Sequence, residues 1–326
     1  MKKGLAVIIV GILVFLGVKY LGPELTENKE ITLMTHDSFN VSKEVVAQFE
    51  KKYGVKLIFV KAGDAGAAVN KAILSKNNPM ADVFFGVDNT FMSRALNAGI
   101  FEPYKSPLLA RIPDDLKLDS ENRLLPVDFG DVCLNYDKQW FAKKSVDPPT
   151  GLEDLIKPAY RGLTVVENPA TSSPGLAFLF TTIGRFGEND YLDYWKNLRK
   201  NDVLVTNGWE EAYWGNFTAA SKGNRPIVVS YASSPPAEVH YSKTPLKDTP
   251  IAAVIENKTC YRQIEFVGIL KGTKKRKLAE NLVDFLLDTA FQEDIPLQMF
   301  VFPANKTAKH PDVFIKYAKV AIMPIL

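Results

Sequence analysis

The sequence predicts an α/β fold of two lobes, each a mostly parallel sheet flanked by helices, with two hinge crossings between them. The chain has 326 residues, enough for two domains of roughly 100–200 residues each. Strand-like runs, polar turns and helical runs alternate three times between residues 31 and 100. The same order returns from residue 163, beyond a loop-like stretch that is rich in proline.

The composition is that of a soluble globular protein and excludes several function classes. Apolar residues make up 46% of the chain and charged residues 24%. The net charge is only +3, and the single basic run, 274–277, precedes an amphipathic helical pattern, so nucleic-acid binding is not expected. Two cysteines and three separated histidines predict no metal site, and no cofactor motif is present.

Residues 1–29 have the layout of an export signal. Lys2-Lys3 precede an uncharged run, Gly4–Val18, which Lys19 ends. No small-x-small cleavage site follows, and the run is shorter than the ~20 residues of a membrane span unless Lys19 reaches the interface. We therefore predict an uncleaved membrane anchor, with a cleaved signal as the alternative, and place the remaining chain on the outer face of the membrane.

Cys133 and Cys260 are the only cysteines, and an exported protein can join them. The two predicted hinge crossings, near 128–136 and 260–270, place them on neighbouring strands. The sequence thus favours a disulfide across the hinge, and two buried free thiols are the alternative.

Lobe 1 is predicted to comprise residues 30–130 and 266–326, and its first half supplies three strand–turn–helix units. Each strand is followed by a pair that begins with aspartate, at Asp37-Ser38, Asp64-Ala65 and Asp88-Asn89. Ligands of such sheets bind at the carboxyl ends of the strands. These pairs are therefore candidate contacts, although for any single pair simple helix capping is the better explanation.

Lobe 2, residues 131–265, repeats this pattern twice. One strand is followed by Thr171–Ser173 and Pro174, and another ends at Tyr231 before Ser233-Ser234-Pro235. Serine is a preferred helix cap and proline fits the first helical position, so both segments predict helix starts with free N–H groups. With Trp209 nearby, a tyrosine, hydroxyls and N–H donors suit a flat cationic ligand, whereas core packing is the alternative for both aromatic rings.

Catalytic signatures are missing from the sequence. It contains no GxSxG elbow, phosphate-binding GxxxxGK[ST] loop, HExxH or GxGxxG motif. The acidic residues at the strand ends show no spacing typical of a catalytic pair, and they serve equally well as counter-ions for a cation. We therefore expect a binding protein and not an enzyme.

An ordered set of motifs between Thr32 and Asn305 resembles the thiamine-binding periplasmic proteins of bacterial ABC importers. The motifs are DSF, ADVFFGVDN, PVDFG, NPATSSPGL, NGWEEAY, VVSYASSP and FQEDIPLQMFVFP. The resemblance implies a type II-like periplasmic-binding-protein fold and a periplasmic or extracellular location. It also implies a monomer that captures thiamine or a thiamine phosphate and delivers it to an ABC permease.

The resemblance further implies a set of ligand-binding residues. Trp209 and Tyr231 would present ring faces to the thiazolium cation, and Asp64 would pair with its charge or accept from the amino group of the aminopyrimidine. The serine-rich helix starts would bind the hydroxyl or a phosphate. The full set is Asp64, Ala65, Ser172, Ser173, Trp209, Tyr231, Ala232, Ser233 and Ser234. The chain departs from the family at His36, where relatives carry tyrosine, and at Phe300, where they carry tryptophan.

Other functions stay open at this point. Iron(III) binders of this class offer adjacent tyrosines, whereas Tyr231 is followed by Ala232. A polyamine would need several carboxylates, which the strand ends supply. An anchored thiamine-processing enzyme on the same fold would need a nucleophilic thiol, for which Cys133 is the candidate. A two-domain scaffold without a ligand is the last alternative.

Overall fold

The computed structural model describes residues 29–256 and 258–325, so the predicted signal or anchor lies outside the described residues except for Lys29. No helix among the described residues combines the length and the apolar character that a membrane span requires. In the part of the chain that the structure describes, eleven strands belong to one sheet: β1 Glu30–Thr35, β2 Lys56–Lys61, β3 Val83–Asp88, β4 Phe101–Glu102, β5 Leu125–Asp137, β6 Thr164–Glu167, β7 Leu204–Thr206, β8 Ile227–Tyr231, β9 Ile251–Val254, β10 Tyr261–Leu270 and β11 Phe302–Pro303.

The α-helices flank this sheet and are mostly short. They are α1 Lys43–Tyr53, α2 Ala65–Leu74, α3 Met92–Asn97, α4 Lys138–Lys144, α5 Ser173–Lys200, α6 Pro235–His240, α7 Arg276–Leu287, α8 Thr289–Gln292, α9 Ile295–Gln298 and α10 Asp312–Tyr317. Short 3₁₀ helices occupy Pro107–Arg111, Asp114–Leu116, Leu152–Ile156 and Pro158–Tyr160, and a π-helix spans Glu211–Asn216.

The sheet joins two parallel sets of strands through two long crossing strands. Its main order is β2-β1-β3-β10-β5-β8-β6-β7. The strands β1, β2 and β3 run parallel, as do β6, β7 and β8, whereas β10 is antiparallel to β3 and β5 is antiparallel to both β10 and β8. The predicted α/β fold with two hinge crossings is thus confirmed, and the crossings are β5 and β10.

The strand register brings the carboxyl ends of the two sets together. Asp88, at the end of β3, lies opposite Glu265, which in turn lies opposite Asp128 on β5. Tyr231, at the end of β8, lies opposite Val132 on the same β5 strand. At about 3.3 Å per residue, these two positions on β5 are about 13 Å apart. The strand ends of both sets therefore face one gap.

Each strand set packs its own apolar core. One buried cluster contains Leu33, Phe49 and Phe84 with many residues of β10 and α7. A second contains Phe178 and Ile227 with residues of β5 and α5. Separate cores on either side of two strands are the arrangement that allows hinge motion. The lobe boundaries, 30–130 with 266–326 and 131–265, stay a prediction.

A disulfide joins the two crossing strands at the hinge. Cys133 on β5 and Cys260, just before β10, are bonded, with their Cα atoms 4.5 Å apart. This confirms the predicted bridge over the alternative of two free thiols. The C-terminal segment adds to the same region, because the backbone N–H of Ala321 donates to Asp131 at 2.7 Å, and Asp131 pairs with Arg262.

The structure divides the helical segments differently from the sequence prediction. The pattern of the run 279–298 reads as one helix, but the run belongs to three, because Asp288 takes an extended conformation and its carboxylate caps Thr289 at the start of α8. The segments 174–187 and 191–202 each read as a helix, but the structure joins them in one long element, α5, with a non-helical residue at Gly187 (φ 82°). Glycine tolerates that left-handed backbone without a Cβ clash.

Candidate functional site

A cavity of about 280 Å³ lies where the strand ends of the two lobes meet. Six of the nine predicted site residues line it: Asp64, Ala65, Ser173, Trp209, Tyr231 and Ser234. The other three, Ser172, Ala232 and Ser233, are completely buried behind its wall and do not line it. Both lobes contribute to the lining, so a bound molecule would contact both.

Trp209 presents one ring face to the cavity because the other face is covered. Its indole stacks on the ring of Tyr213, with centroids 4.8 Å apart and planes 20° apart. Tyr213 is itself fully buried and donates its hydroxyl to Glu238 at 2.9 Å. The indole Nε1–H donates to Ser230 at 2.9 Å. A ring held on one face and at its nitrogen is rigidly oriented toward a ligand.

Asp64 connects α2 of lobe 1 to the Trp209 loop of lobe 2. As the N-cap of α2, its Oδ1 accepts from the backbone N–H of Ala65 at 2.6 Å, and its Oδ2 accepts from the backbone N–H of Trp209 at 2.8 Å. A Cβ at Gly208 would lie 2.8 Å from Oδ2, so glycine is required for this approach. Burial raises the pKa of the Asp64 carboxyl, although both N–H bonds and nearby His36 oppose that shift.

Ser234 holds the strand end and does not cap the following helix. Its hydroxyl accepts from the backbone N–H of Tyr231 at 3.2 Å and shares a 2.9 Å hydrogen bond with Ser230. No side-chain capping bond is present at the start of α6, nor at Ser172 before α5. The predicted serine caps are therefore wrong at both places. Ser234 bonds within the strand end, and the hydroxyl of Ser173 donates to Asp88.

Tyr231 lies across the hinge strands as a neutral phenol. Its hydroxyl donates to Gln263 on β10 at 3.3 Å. Its ring lies over Gly130 on β5, where a Cβ would come within 2.8 Å of the ring carbon Cδ1. Burial raises the pKa of this hydroxyl well above its ordinary value, and the carboxylates nearby add to the shift.

Three carboxyl groups form a row across β3, β10 and β5. The row comprises Asp88, Glu265 and Asp128, which are direct partners in the strand register. Glu265 lines the cavity, whereas the other two are buried beneath it. Burial raises the pKa of Asp88 to about 6, although the hydroxyls of Ser173 and Thr90 oppose the shift. This row makes the floor of the cavity electronegative whenever it is ionised.

The predicted set omits several lining residues. His36, Trp214, Tyr241, Glu265 and Phe300 all line the cavity. The sequence marks His36 and Phe300 as departures from the family but does not assign them to the site. Tyr241 gave no signal, because it enters the cavity only through the fold. Phe300 has φ of 56°, a left-handed conformation that is costly for a bulky residue, and its ring packs 5.5 Å from that of Tyr241.

The structure also bears on the alternative chemistries. Cys133 is 2% exposed and disulfide-bonded, so it offers no nucleophilic thiol, and the thiol-based enzyme alternative loses its candidate. Among residues 29–256 and 258–325, no group of three or more His, Cys, Asp or Glu side chains is placed to hold a metal ion.

Comparison with known proteins identifies related binding proteins. A family model for bacterial extracellular solute-binding proteins matches residues 78–322. The thiamine-binding periplasmic protein of Brucella melitensis is 30% identical over 89% of this chain and 83% of its own length. That of Escherichia coli is 31% identical over 89% of this chain and 85% of its own. A solved periplasmic thiamin binding protein, 26% identical, superposes with a TM-score of 0.80 over 94% of this chain and 92% of its own.

Proposed function

The chain belongs to the family of bacterial extracellular solute-binding proteins, and we propose that it captures thiamine by closing its two lobes around it. The similarity to thiamine-binding periplasmic proteins over 89% of the chain supports this ligand. One observation carries the proposal: the free face of Trp209 and the Asp64 carboxylate, from opposite lobes, line the same cavity. A flat ring and a buried carboxylate together suit a planar cation.

The geometry assigns a role to each wall of the cavity. The thiazolium ring stacks on the exposed face of Trp209, a contact with a cation that contributes about 0.5–2 kcal/mol. The acidic row beneath the cavity supplies negative potential, which acts over several ångströms in an interior of low dielectric constant. The aminopyrimidine is flat and has both donors and acceptors, and Asp64 and Tyr231 lie at the cavity edge to contact it.

Closure is supported by hydrogen bonds that join the lobes around the cavity. Asp64 accepts from the backbone of Trp209, Ser173 donates to Asp88, and the backbone N–H of Ala67 donates to Thr171 at 3.2 Å. All three must break for the cavity to open. A ligand that contacts both walls therefore favours the closed arrangement by its own binding energy.

No covalent step is part of this proposal, because the protein acts as a carrier. It delivers thiamine, or a thiamine phosphate, as a monomer to an ABC permease in the membrane. The proposed location is the periplasm, in agreement with the names of its relatives. Residues 1–29 would serve as the export signal or as an anchor at the outer face.

Titration calorimetry with four ligands tests the proposal. Thiamine, thiamine phosphates, iron(III) and spermidine are each added to the exported part of the chain, and tryptophan fluorescence is followed in parallel. We expect saturable one-to-one binding of thiamine with a change in emission, since Trp209 would contact it. Tighter binding of iron(III) or spermidine would reject thiamine as the ligand. Loss of the bond between the pyrimidine and the thiazolium during incubation would reject the non-enzymatic role.

A further inference from the structure

His36 lines the cavity, its side chain is 12% exposed, and its set of hydrogen-bond partners is incomplete. It follows directly after β1 and is packed on the backbone of Gly86, where a Cβ would come within 2.5 Å of the imidazole Cδ2. Its Nε2 atom lies 3.5 Å from Oε1 of Glu265 and has no hydrogen-bond partner among the described residues. The ring also contacts Phe85, with centroids 5.7 Å apart. Glu265 is thus the only ion-pair partner of this imidazole among the described residues.

The carboxyl beside Glu265 is also unsatisfied. Neither oxygen of Asp128 has a donor among the described residues, although the side chain is only 1% exposed. Asp128 and Glu265 are direct cross-strand partners, and two buried carboxyls so close cannot both ionise at ordinary cost. Burial and the neighbouring Glu265 raise the pKa of the Asp128 carboxyl well above its ordinary value, so Asp128 is the carboxyl of this pair that holds a proton.

The charged groups around His36 come from several elements. Glu265 on β10 is the nearest partner of His36, and Asp128 on β5 lies behind Glu265. Asp64, at the start of α2, and Lys61, at the end of β2, also act on the imidazole. Three further titratable groups lie nearby: Asp37, next in the chain, Asp88 at the end of β3, and the neutral phenol of Tyr231. Burial by itself would lower the pKa of His36, but the carboxylates of Glu265 and Asp64 outweigh it and raise that pKa above its ordinary value, while Lys61 opposes them.

We propose that His36 is the charge-selecting residue of the cavity: in the empty protein its imidazolium pairs with Glu265, and an arriving cation replaces that charge and releases the proton to solvent. The inference rests on the proposed function, because it takes thiamine as the cation. The acidic floor then carries the same net charge before and after binding. A neutral molecule of the same shape does not release the proton, so it leaves the imidazolium in place.

Two consequences follow for binding. Capture of a cation is weakened by protons, and the affinity falls by up to tenfold per pH unit below the pKa of His36. A neutral analogue, in which an uncharged five-membered ring replaces the thiazolium, shows no such dependence. The residue therefore adds a preference for charge to a cavity whose aromatic walls select flat molecules.

Proton release is measured by calorimetry in buffers of different ionisation enthalpy. At about pH 7 a histidine with a pKa above 6.5 is at least about a quarter protonated, so wild type should release at least about 0.25 proton per thiamine. His36→Gln should release close to none and bind thiamine with a flatter pH dependence. His310→Gln, at a histidine outside the cavity, should behave as wild type.

Titration of the histidines by NMR gives a second measurement that needs no variant. In the wild-type protein, thiamine should lower the pKa of His36 and leave that of His310 unchanged, and the neutral analogue should alter neither. An unchanged proton count in His36→Gln would overturn the inference, because the proton would then come from the carboxyls. Binding of thiamine by wild type without release rejects this inference alone, whereas absence of thiamine binding rejects the proposed function and this inference with it.

Discussion

Replacement of Trp209 by alanine tests the central contact of the cavity. The indole is stacked on Tyr213 by one face and held at Nε1 by Ser230, so its other face is the one available to a ligand. A desolvated cation–ring contact contributes about 2 kcal/mol, which corresponds to about a 30-fold change in dissociation constant. We therefore expect Trp209→Ala to weaken thiamine binding about 30-fold. Trp209→Phe keeps a ring but loses the anchoring hydrogen bond, and a loss of about threefold to tenfold is expected.

Calorimetric titration with thiamine measures both variants against a matched control. Trp140→Phe is suitable, because Trp140 packs edge-on against Phe141 at 5.0 Å and does not line the cavity. Circular dichroism checks that the fold is retained. A change of less than twofold in a folded Trp209→Ala variant would remove this ring from the site and refute the reasoning.

Three further predictions concern the hinge, the acidic row and the contact between lobes. Removing the disulfide with Cys133→Ala/Cys260→Ala should lower the free energy of unfolding by about 5 kcal/mol, because a bridge across 127 residues strongly restricts the unfolded chain. Urea unfolding measures this loss, and a reductant should have no effect on the stability of the variant. Burial raises the pKa of Asp88 from 3.8 to about 6, so its protonated form stabilises the fold below pH 3.8 and that stability is lost as the pH rises through about 6. The stability difference between wild type and Asp88→Asn should therefore change by about 3 kcal/mol between about pH 3 and pH 7, and a constant difference would contradict the shift. Asp64→Asn should weaken thiamine binding at least about tenfold, because the amide cannot accept from both backbone N–H groups that the carboxylate now holds; equal affinity would show that this junction does not control closure.

Patterns of local sequence were sufficient for most of the elements. Alternating strands and helices predicted the parallel sets, and the strand-like runs around 128–136 and 260–270 predicted the two crossings that β5 and β10 form. The disulfide followed from the same inference, because two neighbouring strands each contribute one cysteine. Such features depend on periodicity and turn chemistry, which are local properties.

Hydrogen-bond partners were not predictable in the same way. A Ser-Ser-Pro segment predicts a capped helix, yet Ser234 bonds to Tyr231 and Ser230, and Ser173 bonds to Asp88, which lies 85 positions away in the chain. A hydroxyl takes whichever donor or acceptor the packed structure brings nearest, and a carboxylate accepts more strongly than a neutral group does. Local propensity therefore predicted where the helices begin but not what the serines contact.

The sequence by itself determined the α/β architecture, the two crossings near which both cysteines lie, and the aromatic and acidic residue types available to a site. Only the tertiary structure decided which of them share a cavity, because strand register aligns Asp88 with Glu265 and Asp128, and only register places His36 beside that row. It likewise placed Ser172, Ala232 and Ser233 behind the wall of the cavity. The physical reason is that the charge and ligand preference of a buried site depend on distances between side chains that are remote in sequence.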